Sequence, residues 1–290
     1  MLFDLQSPGR RRVIKVIYAM LAVLMGGGLI FFGIGSDASG GLSEIFGGGG
    51  GTDKPFEDDI EDAEKRAEAN PQDAAAQCEL VQLHYQAGTQ QIEVDPETGS
   101  QDLTTDAEES LTKSADAWDR CQKLSGAKVD PSAALLAVQT YSTLANAKLR
   151  QAASGSGQEA LDDADDSLTA WNSAAGAQQV IADDRGDAEA YATLAQFLYF
   201  GGEFDAADQA TQQALSLATG KERTQIENEA EQVEQQARGL IDEIETFRKQ
   251  LAQAGAGAPA GGDNPLSDLG GGGGSGGGLG GDAGGGLATP

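Results

Sequence analysis

The chain has 290 residues, 41 of them Gly, and a formal net charge of −27. No cluster of Lys and Arg follows residue 15, which excludes the phosphate-binding surface that a nucleic-acid partner requires. The Gly is concentrated in Gly47–Gly51 and after Ala254, stretches with too little apolar side chain to fold, so Pro55 to about Ala254 is left to form one domain with a real core.

Residues 1–15 form a basic N-terminus with Arg10, Arg11, Arg12 and Lys15. They precede "VIYAMLAVLMGGGLIFFGI", Val16–Ile34, which carries no charge. As a helix this segment rises about 28 Å, close to the hydrocarbon thickness of a bilayer, and predicts a single transmembrane span over 16–34. Asp37 and Glu44 follow it. The positive-inside rule then makes the four basic residues topology determinants, with the N-terminus cytoplasmic and the acidic bulk extracytoplasmic. Two other readings stay open. Ser36–Ser39 offers small residues for cleavage of a signal peptide. "GRRRVIK", from Gly9 to Lys15, resembles a twin-arginine export signal with Gly9 in place of the usual hydroxyl residue. Gly26–Gly28 and Gly33 lack the four-residue spacing that pairs membrane helices.

A Gly-rich linker covers 35–54. From there the chain is rich in Ala, Gln, Glu, Asp and Leu, and β-branched runs are absent outside Ile92–Val94, so the reading is all-α. Phe56–Ala69 predicts a first helix. Three joints then resemble one another: "NPQDA" at Asn70–Ala74, "DPSAA" at Asp130–Ala134 and "DRGDA" at Asp184–Ala188. Each places Asn or Asp before Pro or Arg and opens an Ala-rich helix. The joints lie 60 and 54 residues apart. "DAEESLT" (Asp106–Thr112) and "DADDSLT" (Asp163–Thr169) echo each other, with "DAADQAT" (Asp205–Thr211) as a weaker copy. Gly88–Thr104 reads as an insertion, and Ser154–Gly157 and Gly202 as turns. Lys221–Gln253 predicts a long helix with Ile226, Val233, Leu240, Ile241, Ile244, Phe247 and Leu251 in a stripe, either a cap on the preceding helices or a short coiled coil. Residues 255–290 read as a disordered Gly-rich tail.

The stretch Asp187–Leu215 resembles a tetratricopeptide repeat. Tyr191, Leu194, Ala195 and Leu198 match the first helix of that motif, and Ala207, Thr211 and Ala214 match the second. Arg185 and Thr219 stand where the family carries Pro. Two degenerate copies precede it. Leu80, Val81, His84 and Tyr85 match in the first, Tyr141, Leu144 and Ala145 in the second, with Thr140 where Leu is expected. The resemblance implies an α-solenoid of about three helical hairpins over 55–219, closed by the capping helix at 220–254. It also implies a protein or peptide partner on a concave face lined by Gln82, Tyr85, Glu189, Ala192, Gln196 and Tyr199. The cationic carboxylate clamp of some members has no counterpart at these positions.

Chemistry is sparse. The single His84 falls at a packing position, and one His with two Cys assembles no standard zinc set. Cys78 and Cys121 fall on the two helices of the first copy, near where antiparallel ends meet; they either pair as a disulfide outside the membrane or stay buried thiols. Asp95–Asp102 departs from an EF-hand loop at its Gly and lacks the closing Glu, and Gly277–Asp282 matches only the start of a calcium nonapeptide. The Gly runs carry no phosphate-loop Lys. The expectation is no enzyme and no cofactor, but an interaction module of a bacterial cell envelope. Its layout is similar to the ancillary subunit of the Sec translocon, which makes an export or chaperoning factor one alternative. A structural scaffold with the tail as spacer is another.

Overall fold

A computed structural model of the chain describes residues 56–94, 101–254 and Leu266. The basic N-terminus, the predicted span at 16–34, the linker and the rest of the tail lie outside these residues. Among the described residues, no helix is long and apolar enough to cross a membrane.

Helix α1 (Glu57–Ala69) opens on Glu57, Asp58 and Asp59, whose charge suits the positive end of the helix dipole. Then come α2 (Ala74–Gln90), a two-stranded ribbon of β1 (Ile92–Val94) and β2 (Gln101–Leu103), and α3 (Thr105–Ser125). Next are α4 (Pro131–Ser154), α5 (Gly157–Arg185), α6 (Ala188–Phe200), α7 (Phe204–Leu217) and α8 (Gly220–Ala254). The helices pair as α2/α3, α4/α5 and α6/α7, and the three hairpins stack in chain order with α1 at one end and α8 at the other.

The predicted insertion differs in its first residues. Gly88 belongs to the last turn of α2, where a Cβ would meet Leu111 Cγ at 2.8 Å, so Gly is there for close helix approach rather than to break the helix. The ribbon follows, with Ile92 opposite Leu103 in antiparallel register. The Ile-Glu-Val alternation has the period of a strand.

The hairpin starts are set by Asp side chains. Asp73 accepts a bond from Ala76 N at 3.2 Å, Asp130 from Ser132 N at 2.9 Å and Asp187 from Ala190 N at 2.9 Å. These N-caps satisfy otherwise unpaired amides of the first turn. Measured between them, the spacing is 57 residues and again 57. This corrects the uneven joint spacing, because the α5 stop at Arg185–Gly186 and the α6 cap at Asp187 are separate residues, with Gly186 in the left-handed conformation. The same interval aligns the cores. Ala76, Ala133 and Ala190 are all buried, as are Leu80, Ala137 and Leu194, and Val81, Val138 and Ala195. In this register Ala137, not Thr140, stands opposite Leu80 and Leu194. Thr140 is instead buried beside α3, its hydroxyl 3.2 Å from Ser114 Oγ. The Asp106–Thr112 and Asp163–Thr169 echo keeps the same interval, whereas α7 arrives early because α6 has only 13 residues against the 24 of α4.

Small residues let the helices approach, and hydroxyls tie them. Ser114 Oγ donates to Val81 O at 2.9 Å, and Ser167 Oγ to Ala145 O at 2.9 Å. Gln178 Nε2 donates to Ala190 O at 3.1 Å, joining α5 to α6. Trp171 of α5 stacks on Phe197 and lies 5.5 Å from the Phe200 ring, closing the joint between the second and third hairpins. Cys78 and Cys121 form a disulfide across the first hairpin, with Cα atoms 5.0 Å apart.

Helix α8 lies along the third hairpin and returns to the second. Ile226 packs with Ala188, Ala214 and Ala218, while Leu240, Ile244 and Phe247 pack with Ala152, Ala160, Leu161 and Ala164. Arg238 sits 4.3 Å from the Phe204 ring centre, and Arg248 pairs with Asp165 of α5 at 2.6 Å. Between the two readings of this helix, the contacts favour a cap on the stack.

Candidate functional site

The six residues expected to line a concave face fall into three environments. Gln82 and Gln196 are half-buried on α2 and α6, and Tyr85 is half-buried on α2, where burial pushes its phenol upward in pKa. Glu189 is exposed and bound to Arg185, Oε2 to Nη2 at 3.1 Å. Ala192 and Gln196 close against Ile226, Glu229 and Ala230 of α8, leaving a cavity of about 10 Å³.

Tyr199, expected on the same face, is instead buried. It is 2% exposed, and its hydroxyl donates to Asp208 Oδ1 of α7 at 2.7 Å. Burial, reinforced by Asp208 and Glu234, pushes the phenol up to about 12. Tyr199 faces its own partner helix because it lies four residues beyond Ala195, on the side of α6 turned toward α7. Leu198, matched above to the first helix of the motif, is only partly buried, and its neighbour Phe197 is buried.

The even register adds a residue that the uneven joints concealed. Gln82, Gln139 and Gln196 occupy equivalent places, each nine residues beyond its capping Asp, and all three are half-buried. Among the described residues, none of the three side-chain amides is engaged in a hydrogen bond. Each amide offers two donors and one acceptor. One turn before Gln139 on α4 lies Leu135, 49% exposed and among the most exposed large apolar side chains of the described residues. The signal for Gln139 was present in the sequence as an Asp, then an Ala three residues on, then a Gln six further, at 73, 130 and 187.

His84 packs between α1 and α2 and is 6% exposed, its Nε2 3.6 Å from Glu64 Oε1. Burial, with a smaller contribution from the Lys113 ammonium, lowers its pKa to about 4. The folded value lies below the unfolded value of about 6.5, so the neutral ring stabilises the fold above that pH, and the contribution is lost as pH falls toward 4. Urea titrations at pH 7 and pH 5 are expected to differ by about 2 kcal/mol in excess of the difference shown by His84→Gln. Equal pH dependence in both proteins would rule out this role.

Among the described residues, no group of three His, Cys, Asp or Glu is placed to hold a metal ion. A cavity of about 200 Å³ between α7 and α8 is lined by Tyr199, Asp208, Glu227, Glu231 and Glu234 with apolar and amide neighbours. Much of Asp95–Asp102, and all of Gly277–Asp282, lie outside the described residues. In comparisons with known proteins, no family model, no curated protein and no solved structure matches this chain.

Proposed function

We propose that residues 56–254 form a tetratricopeptide-like interaction module, carried on the outer face of a membrane by the 16–34 helix, that binds an extended segment of a protein partner. The observation that carries this reading is the row of Gln82, Gln139 and Gln196 on the first helices of three stacked hairpins, with unengaged amides and exposed Leu135 beside the middle one. A primary amide pairs with a peptide group through a donor and an acceptor at once, so a repeated Gln suits a ligand whose backbone repeats. Recognition through backbone groups tolerates varied side chains, and Leu135 supplies an apolar contact. At the third hairpin α8 already lies against Gln196. The open part of the face is then centred on α2 and α4.

The test is photocrosslinking in native membranes with a benzophenone amino acid in place of Leu135, in chains with and without Gln82→Ala, Gln139→Ala and Gln196→Ala together. The expected result is a discrete adduct at position 135 that the triple substitution reduces at least tenfold while the melting temperature stays within a few degrees. Surface substitutions of this kind change stability by only about 0.5 kcal/mol each. The same adducts from a probe at exposed Lys113, on α3, would remove the assignment to this face.

A further inference from the structure

Leu266 is fully buried, at 0% exposure, in the cluster that joins α8 to the α4/α5 hairpin. Its neighbours there are Leu240, Ile244 and Phe247 from α8 and Ala152, Ala160, Leu161 and Ala164 from the hairpin. The Ala residues leave room on one wall, and the large apolar residues form the other. Arg248 and Asp165 pair beside it and hold α8 against α5 through groups other than Leu266.

The surrounding sequence makes this placement specific. Leu266 and Leu269 are the only large apolar residues between Gln253 and Leu279. Leu266 follows the end of α8 at Ala254 by 12 residues, a length of chain that reaches at most about 40 Å when extended. Returning to the level of Ile244, ten residues back along the helix, needs about 15 Å. The Gly- and Ala-rich connection therefore permits the return. It also holds the leucine near its pocket at an effective concentration on the order of millimolar.

We propose that the pocket between α5 and α8 is a leucine-accepting site, and that this chain's own Leu266 is its resident and displaceable ligand. The occupant is joined to α8 by a tether, so its hold on the pocket is sustained by proximity. A free leucine-bearing segment reaches the pocket only by displacing it, which sets a concentration threshold for any such ligand.

The full chain, purified in detergent with a diazirine amino acid in place of Leu266, tests this directly. Irradiation is expected to crosslink position 266 to peptides spanning 157–168 and 239–251 of the same chain. A synthetic GDNPLSDLG peptide at millimolar concentration is expected to lower that yield at least fivefold, and the same peptide with its first Leu replaced by Asp is expected to leave it unchanged. Crosslinks between differently tagged copies would overturn docking within one chain. Scattered or absent crosslinks would overturn the site, and a yield that the Leu peptide does not lower would overturn displacement. Because the probe sits on the tail, it leaves every helix sequence intact.

Discussion

Breaking the Cys78–Cys121 bridge is expected to lower the stability of the domain by about 4 kcal/mol, the loop-closure value for a sequence separation of 43. The cause lies in the connection of the first hairpin. Helices α2 and α3 are joined through the ribbon and its 95–100 link, a far longer route than the Gly201-Gly202 turn of the third hairpin. The bridge fixes the start of α2 to the end of α3 and so removes from the unfolded chain much of the freedom that this connection adds. Cys121 is fully buried and Cys78 half-buried, so substitution also disturbs packing. Urea unfolding followed by circular dichroism, for the oxidised chain, the reduced chain and the Cys78→Ser, Cys121→Ser double variant, measures the effect. Hydrogen exchange is expected to localise the change to α1, α2 and α3. An unchanged midpoint after complete reduction, verified by thiol titration, would contradict the assignment.

Trp171→Ala is expected to cost about 3–5 kcal/mol, and Trp171→Phe under about 1.5 kcal/mol. Trp171 is 2% exposed and forms the joint between the second and third hairpins through Phe197 and Phe200. Truncation to Ala leaves a cavity that two hairpins of fixed length cannot close. The Phe variant keeps most of the ring stack and deletes Nε1, a buried donor without a hydrogen-bond partner among the described residues. Losing such a donor removes an unpaid desolvation cost, which offsets part of the lost contact. A double-mutant cycle of Trp171→Phe with Phe197→Leu is expected to give a coupling of about 0.5–1.5 kcal/mol. If the Phe variant proves as unstable as the Ala variant, the indole nitrogen has a partner that the stacking argument omits.

Helix positions were legible because local rules act within a few residues. The capping Asp73, Asp130 and Asp187, Pro131 at the start of α4, and the Ala- and Leu-rich runs each settle a helix boundary without reference to the rest of the chain. The spacing of the repeat was less legible. Asn70-Pro71 and Asp184-Arg185 mark where the preceding helix stops, and stops vary with loop length, whereas caps mark where the next helix starts. Counting from stops gave uneven intervals and left Gln139 out of the candidate face.

What the sequence by itself determined is the helical character, the pairing of helices into hairpins, the Gly-rich boundaries and the apolar stripe of the last helix. Each rests on periodicity, capping or composition, which are properties of short windows. Only the tertiary structure decided which side of each helix is left open. Tyr199 and Gln196 are both partly polar side chains three residues apart on α6, yet one is bonded to Asp208 inside the third hairpin and the other faces α8. That choice depends on the angles at which α7 and α8 cross α6. The burial of Leu266 was decided there too, because the pocket that holds it joins the α4/α5 hairpin to α8, from Ala164 on one wall to Leu240 on the other, far apart in the chain.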